Sequence, residues 1–304
     1  MKNTLSISGG GIRGIIPCCM LIELEQQTGQ QVRDCFSYVA GTSTGSDLCA
    51  LIQAGIPMTT ALTFYTGEDA KKVFSPQDPL LAWPKRVIDG YIYDPNRLAE
   101  CLKVALGANA GWTINDCPTG VLMIACDAGG HPWFFCKDNG KNKGTTGACS
   151  LVDAVVASSA APTYFNFWPV VVGTQNLQMS DGGAAGFANP VYRMAIEMFE
   201  YDTFDPATTK IISLGTGYYE PPAAMPAPKG LVATIEFATS TLVDSAEDLA
   251  DQDTARVYPN CGFQKFNPPL PSSIDEADLA SVPVLLKIGQ AAAAQLDWKV
   301  ILGL

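Results

Sequence analysis

Short apolar runs alternate with glycine-rich or polar breaks along this chain, and the spacing inside the runs separates strands from helices. Lys2–Ser8 reads as a buried first strand, and Ile15–Leu24 as an apolar, helix-like run, with Gly9-Gly10-Gly11-Ile12-Arg13-Gly14 between them. Cys35–Ala40 is apolar and β-prone, bounded by charge on one side and glycine on the other. Ser46–Gly55 then carries its apolar residues at helical spacing, and Gly55-Ile56-Pro57 is a stop signal. Strands and helical stretches continue to alternate through Val121–Ala125, Leu151–Ser158, Val191–Phe199 and Lys210–Leu214. That alternation predicts an α/β fold with a mostly parallel central sheet covered on both faces. Tyr219–Pro228 is proline-rich and reads as a linker or surface loop. Helical stretches from about Leu231 to Arg256 and from about Leu279 to Ile301 follow, so 218–304 is expected to be a mostly helical extension packed on the core of one domain spanning 1–304. No internal repeat is visible.

A chain of 304 residues can bury a sizeable core in one such domain. The net charge of −11 argues against a nucleic-acid partner and against strong electrostatic attraction to anionic membranes. The ten cysteines form no paired Cys-x-x-Cys clusters and lie mostly within apolar runs, as reduced structural thiols do, so no metal site is expected. The apolar stretch near the N-terminus is interrupted by glycines and reads as neither signal peptide nor membrane span, so a cytoplasmic protein, peripheral to membrane at most, is expected. One segment, Pro79–Arg86, combines leucines, Trp83 and two cations. It suits either a membrane interface or a loop folded onto the core.

The candidate chemistry starts at Gly41-Thr42-Ser43-Thr44-Gly45. Gly-x-Ser-x-Gly between a strand and a helix is the pattern of a nucleophile elbow, whose glycines let chain segments approach closely; an ordinary Gly/Ser/Thr turn has the same composition. A serine nucleophile needs a base, usually histidine. The single histidine, His131, follows a hairpin-like Asp127-Ala128-Gly129-Gly130 and precedes the strand-like Pro132–Cys136, so it reads as a turn residue. A carboxylate within reach of the serine can serve instead. The candidate is Asp181 in Met179-Ser180-Asp181-Gly182-Gly183, at a strand end, although Asp-Gly is also a plain turn.

The glycine loop Gly9–Gly14 enters a helix and therefore presents unpaired N–H groups and a positive dipole end. Two chemistries use that: phosphate binding and an oxyanion hole. Dinucleotide binding calls for an acid after the second strand, about 20 residues on. Asp34 lies at that distance but precedes the strand, and no Gly-Lys-Ser/Thr follows the loop. The second strand ends in the serine elbow, which favours the oxyanion reading. Arg13 suits either a phosphate head group or a structural ion pair.

Taken together, Gly9–Gly14, Gly41–Gly45 and Asp181-Gly182-Gly183, in that order, resemble the three blocks of patatin-like phospholipases. Ala157–Phe165, Asn189-Pro190 and Ile212–Gly217 resemble further blocks, Gln264–Pro268 a late remnant, and the resemblance spans about residues 4–217. It implies a three-layer α/β/α fold and a Ser–Asp dyad without histidine. Ser43 would be the nucleophile, Asp181 the base, and Gly9, Gly10 and Gly11 the oxyanion donors, with Arg13 beside them. Gly14, Gly41, Gly45, Gly182 and Gly183 are the motif glycines. Ser8 stands where many members carry Asp. The implied activity is hydrolysis of phospholipid or other acyl-ester lipids with no cofactor and transient membrane contact. Bacterial relatives in anti-phage signalling are switched on by cyclic nucleotides, so a small-nucleotide activator stays open. The alternatives are a nucleotide-binding module built on Gly9–Gly14 and a non-catalytic or storage role on the same scaffold.

Overall fold

The computed structural model describes residues 1–75, 90–139, 141, 144–220, 227, 229 and 248–304. Strand β1 (Lys2–Ile7) lies between β2 (Tyr38–Thr42) and β7 (Thr209–Leu214) and runs parallel to both. β3 (Gly120–Asp127) continues the parallel sheet beyond β2, and β8 (Gly262–Phe266) continues it beyond β7. β4 (Pro132–Cys136), β5 (Trp168–Val172) and β6 (Gln175–Asp181) are antiparallel additions around β3. The order is β5-β6-β3-β2-β1-β7-β8, with β4 also on β3. Every residue of β2 is buried, as is all of β3 except its two ends. Strands covered on both faces read as continuous apolar runs, which is how they were legible.

Alternate strand residues serve opposite layers. Leu5, Ile7, Val39, Val121, Met123, Ile212 and Leu214 pack on one face. There they meet helices α1 (Ile15–Thr28), α2 (Thr44–Gln53), α3 (Met58–Thr66), α4 (Glu68–Val73), α5 (Pro95–Leu106) and α6 (Leu151–Ser159). Ala40, Leu122, Ile124 and Ile211 pack on the other face, against Val191, Met194, Ala195 and Met198 of α7 (Val191–Glu200). The expected three-layer α/β/α arrangement around a mostly parallel sheet is the one observed.

The C-terminal third is less helical than expected. Gly262–Phe266 adds a strand to the sheet. The run from Leu279 is broken into a 3-10 turn (Leu279–Ser281), α8 (Val282–Ala293) and α9 (Trp298–Leu302), because Asp297 caps a new helix start through Val300 N–H. These elements do pack on the core: a Cβ on Gly289 of α8 would stand 3.0 Å from Cys19 of α1, and buried Trp298 donates from Nε1 to Met20 O at 2.9 Å. Of the expected helix over 231–256, residues 248–256 are helical, and the rest lies outside the described residues. The same is true of Pro79–Arg86 and of most of Tyr219–Pro228. The ten cysteines are free thiols, all but Cys35 buried. No helix among the described residues is long and apolar enough to cross a membrane.

Candidate active site

β2 begins at Tyr38, three residues later than its apolar run, and carries Gly41 and Thr42 into the elbow. Ser43 then adopts φ 55° and ψ −128° before Thr44 opens α2. Positive φ in a residue with a Cβ is strained and persists only where surroundings enforce it. The enforcement is close packing. A Cβ on Gly41 would run into the Gly45 carbonyl, and one on Gly45 into the Ile7 carbonyl. Beneath the turn, buried Ser158 accepts the Ser43 N–H at 3.0 Å and donates to Ile124 O at 2.6 Å. The single proton of the Ser46 hydroxyl has Ser158 Oγ at 2.8 Å and Gly41 O at 2.9 Å as acceptors.

Asp181 reaches the same point from the other direction. Thr42 of β2 pairs with Ile124 of β3, and Asp181 of β6 pairs with the next residue, Ala125. β4 holds the opposite edge of β3, with Phe134 on Ile124 and Trp133 on Ala125. β2 and β6 therefore meet end to end along one edge of β3, and Asp181 takes the register position that Ser43 would have occupied had the strand continued. Asp181 N–H and the Ser180 hydroxyl both bond to Ala160 O, at 3.0 and 2.9 Å, so the end of α6 holds both strands. The Ser43 side chain faces the Asp181 carboxylate closely enough to pull its pKa downward, and Gly183 N–H donates to its Oδ1 at 2.7 Å. Burial is the larger influence and pushes Asp181 up to about 7, with the Glu276 charge adding to it, although Ser43 and the Gly183 N–H pull the other way.

The glycine loop abuts this pair: a Cβ on Gly9 would stand 3.1 Å from Ser43 Cβ. Its donors differ from expectation. Gly9 N–H bonds to Ala188 O at 2.9 Å and is committed there. Gly10 (φ 148°) and Gly11 (φ 53°) turn the chain into a 3-10 turn, Gly11–Gly14. Their N–H groups have no backbone acceptor among the described residues. Arg13 does not stand free beside the loop, because its Nη2 pairs with Glu276 Oε1 at 2.9 Å and its Nε reaches Gly10 O at 3.4 Å. Ile12 N–H also bonds to Glu276 O at 2.7 Å, so the segment around Glu276 is seated on the loop. Gly14 and Gly182 are required by contact, since a Cβ on either would collide with Thr44 or with the Ile124 carbonyl. His131 is distant in kind as well as in role: its side chain is 77% exposed, with Nδ1 3.1 Å from Asp127 Oδ1.

A cleft opens beside Ser43, walled by Phe64, Val73, Phe74, Leu98 and Phe165. Its apolar lining suits an acyl chain. Sequence reasoning missed two of its polar members. Asp47 is buried within it, takes a hydrogen bond from Ser159 Oγ at 3.2 Å, and is pushed by burial up to about 8 despite that bond, with the Asp181 charge adding to the rise. Glu276 lines the mouth. The only sequence signal for Asp47 was its place one helical turn after Ser43 in an otherwise apolar helix.

Residues 5–195 match the family model described as patatin-like phospholipase. Patatin-17 of Solanum cardiophyllum is 30% identical over 240 residues, covering 71% of this chain and 61% of that protein. A cGAMP-activated phospholipase of Escherichia coli is 30% identical over 203 residues, covering 64% of this chain and 55% of that protein. The chain thus spans less than two thirds of the length of either relative. Among solved structures, VipD from Legionella pneumophila overlays with a TM-score of 0.46 at 14% identity, covering 99% of this chain and 66% of that one.

Proposed function

The chain belongs to the patatin-like phospholipase family, and on that premise we propose that it is a lipid acyl hydrolase that cleaves ester bonds of phospholipids or lysophospholipids through an acyl-enzyme on Ser43, with Asp181 as base. The observation that carries this reading is the register that brings Ser43 and the buried Asp181 carboxylate together at one edge of β3, with a pKa of about 7 that suits a general base at neutral pH. No second group is needed to orient it, because Gly183 N–H and β6 already do so.

Asp181 takes the proton as Ser43 Oγ attacks the ester carbonyl carbon. The oxyanion that forms faces the loop, where the N–H groups of Gly10 and Gly11 are the available donors. Collapse breaks the bond to the alkoxy oxygen, which leaves with the proton from Asp181. Asp181 then takes a proton from water as that water attacks the acyl-enzyme. Collapse of this second intermediate releases the fatty acid, and the proton returns to Ser43 Oγ. The apolar cleft holds the acyl chain throughout and excludes bulk water from the carboxylate.

The deciding experiment is a panel of phospholipids, lysophospholipids and simple acyl esters, combined with fluorophosphonate labelling. Wild type is expected to hydrolyse at least one lipid and to be labelled on Ser43, and Ser43→Ala to do neither. Hydrolysis that survives Ser43→Ala rules the assignment out. The name of the E. coli relative, a cGAMP-activated phospholipase, motivates a second reading in which the same hydrolase answers to a small nucleotide. It is dropped if cyclic dinucleotides neither bind nor change esterase rate. The phosphate-cradle alternative for Gly9–Gly14 is disfavoured, because Glu276 is seated on Gly11 and neutralises Arg13.

A further inference from the structure

The cleft beside Ser43 is apolar along most of its wall, yet it contains a carboxyl group that the proposed mechanism does not use. Its polar side chains are otherwise paired among themselves or with neighbours. Ser43 faces Asp181, and the Thr44 and Tyr65 hydroxyls lie 2.7 Å apart. Tyr164 bonds to Asp275, Glu276 to Arg13, and Ser159 to Asp47 Oδ1. The second carboxyl oxygen of Asp47 takes no hydrogen bond among the described residues, although the side chain lines the cleft and is only 6% exposed.

A carboxyl oxygen that reaches the cleft and takes no hydrogen bond from the described residues is open to a partner there, and covering it without supplying one is destabilising. We propose that Asp47 is a specificity-determining residue that selects an acyl chain bearing an oxygen, a hydroxyl or oxo group, a few carbons beyond the ester carbonyl. Position follows from helix geometry. Asp47 stands one turn into the helix that follows Ser43, and both side chains line the cleft, so it lies about 6 Å further along the helix axis. An acyl group bonded to Ser43 Oγ and running down the cleft passes it with its third to fifth carbons. Burial keeps Asp47 protonated at neutral pH, so the free oxygen is a donor and an acyl oxygen is its complement. A plain alkyl chain would expel water from the group and offer nothing in return.

The inference rests on the hydrolase reading and is tested with octanoyl esters of one alcohol, either plain or carrying a hydroxyl on the third or fifth carbon. Wild type is expected to favour one hydroxylated ester in kcat/KM by about ten-fold or more, the discrimination a site built for a polar group provides. Asp47→Asn keeps a donor in place and should retain the preference. Asp47→Leu should reverse it by raising the rate on the plain ester. Equal wild-type rates on plain and hydroxylated esters, or a preference unchanged in Asp47→Leu, overturn the inference while leaving the hydrolase intact. The wild-type comparison decides alone if Asp47→Leu does not fold. Absence of hydrolysis of every ester, with no labelling of Ser43, removes the hydrolase reading and this one with it.

Discussion

The Ser158 hydroxyl accepts the amide N–H of Ser43 at 3.0 Å, tying the backbone of the proposed nucleophile to a helix end 115 residues later. Ala160, two residues on, accepts the N–H of Asp181. One short segment thus fixes both members of the pair. Ser158→Ala would leave the Ser43 N–H and the Ile124 carbonyl short of a partner, which costs about 1–3 kcal/mol in a buried site. Urea unfolding should report that loss. Fluorophosphonate labelling should slow by about ten-fold as the elbow loosens, since small misplacements of a nucleophile are heavily penalised.

Ser43→Gly separates strain from chemistry. Glycine tolerates the positive φ of this position, so the variant is expected to gain about 1 kcal/mol of stability while losing all esterase activity. A lowered melting temperature would show that the elbow is unstrained.

The pH dependence of turnover follows from Asp181. With its pKa raised to about 7, the carboxyl is protonated below that point and cannot accept the serine proton. Expected is a kcat/KM that falls about ten-fold per pH unit well below neutrality and levels off above it. Asp181→Asn should reduce turnover to background at every pH while the circular dichroism spectrum stays native.

Stability should run the other way. Burial raises Asp47 to about 8 and Asp181 to about 7, far above the value of about 4 for unfolded Asp. Between about pH 4 and these values the unfolded chain gives up protons that the folded protein keeps, so the contribution of these two groups to folding stability is greatest at the acid end of that range and falls as pH rises through it. Each group contributes a slope of up to about 1.4 kcal/mol per pH unit. Asp47→Asn, which cannot ionise, is expected to flatten the decline of urea midpoints between about pH 5 and pH 8.

Gly11→Ala meets two obstacles at once, a φ of 53° and the Glu276 carbonyl where the methyl would go. Displacing the Glu276 segment or the loop should destabilise the protein by about 1–3 kcal/mol. Esterase activity should fall by at least ten-fold, because Gly11 N–H is one of the two remaining donors. An active, stable Gly11→Ala would show that the loop is not rigid.

The strand, turn and helix around Ser43 were legible because each carries its own period: an apolar run, two glycines, then residues at helical spacing. Asp181 was legible at a strand end from the short extended stretch before it and the glycine pair after it. What escaped the sequence depends on contacts between distant segments. Nothing local tells that Gly9 N–H will be taken by Ala188, or that Arg13 will find Glu276. Gly262–Phe266 was overlooked because it is an edge strand, only half covered, and its Gly, Gln and Lys lack the buried run that marks β2 and β3. Asp47 resembled any acid in the first turn of a helix, where it favours the dipole, and only burial gives it another meaning.

The end-to-end meeting of β2 and β6 on β3 makes activity a readout of completed folding. A slip of one residue in β6 would turn Asp181 to the opposite face of the sheet, and a slip of two would carry it about 7 Å from Ser43. Ser43 is made early in synthesis and Asp181 138 residues later, so on the proposed mechanism a chain still emerging from the ribosome has the serine without its carboxylate. The pair is therefore complete only once the last antiparallel strand has docked in register.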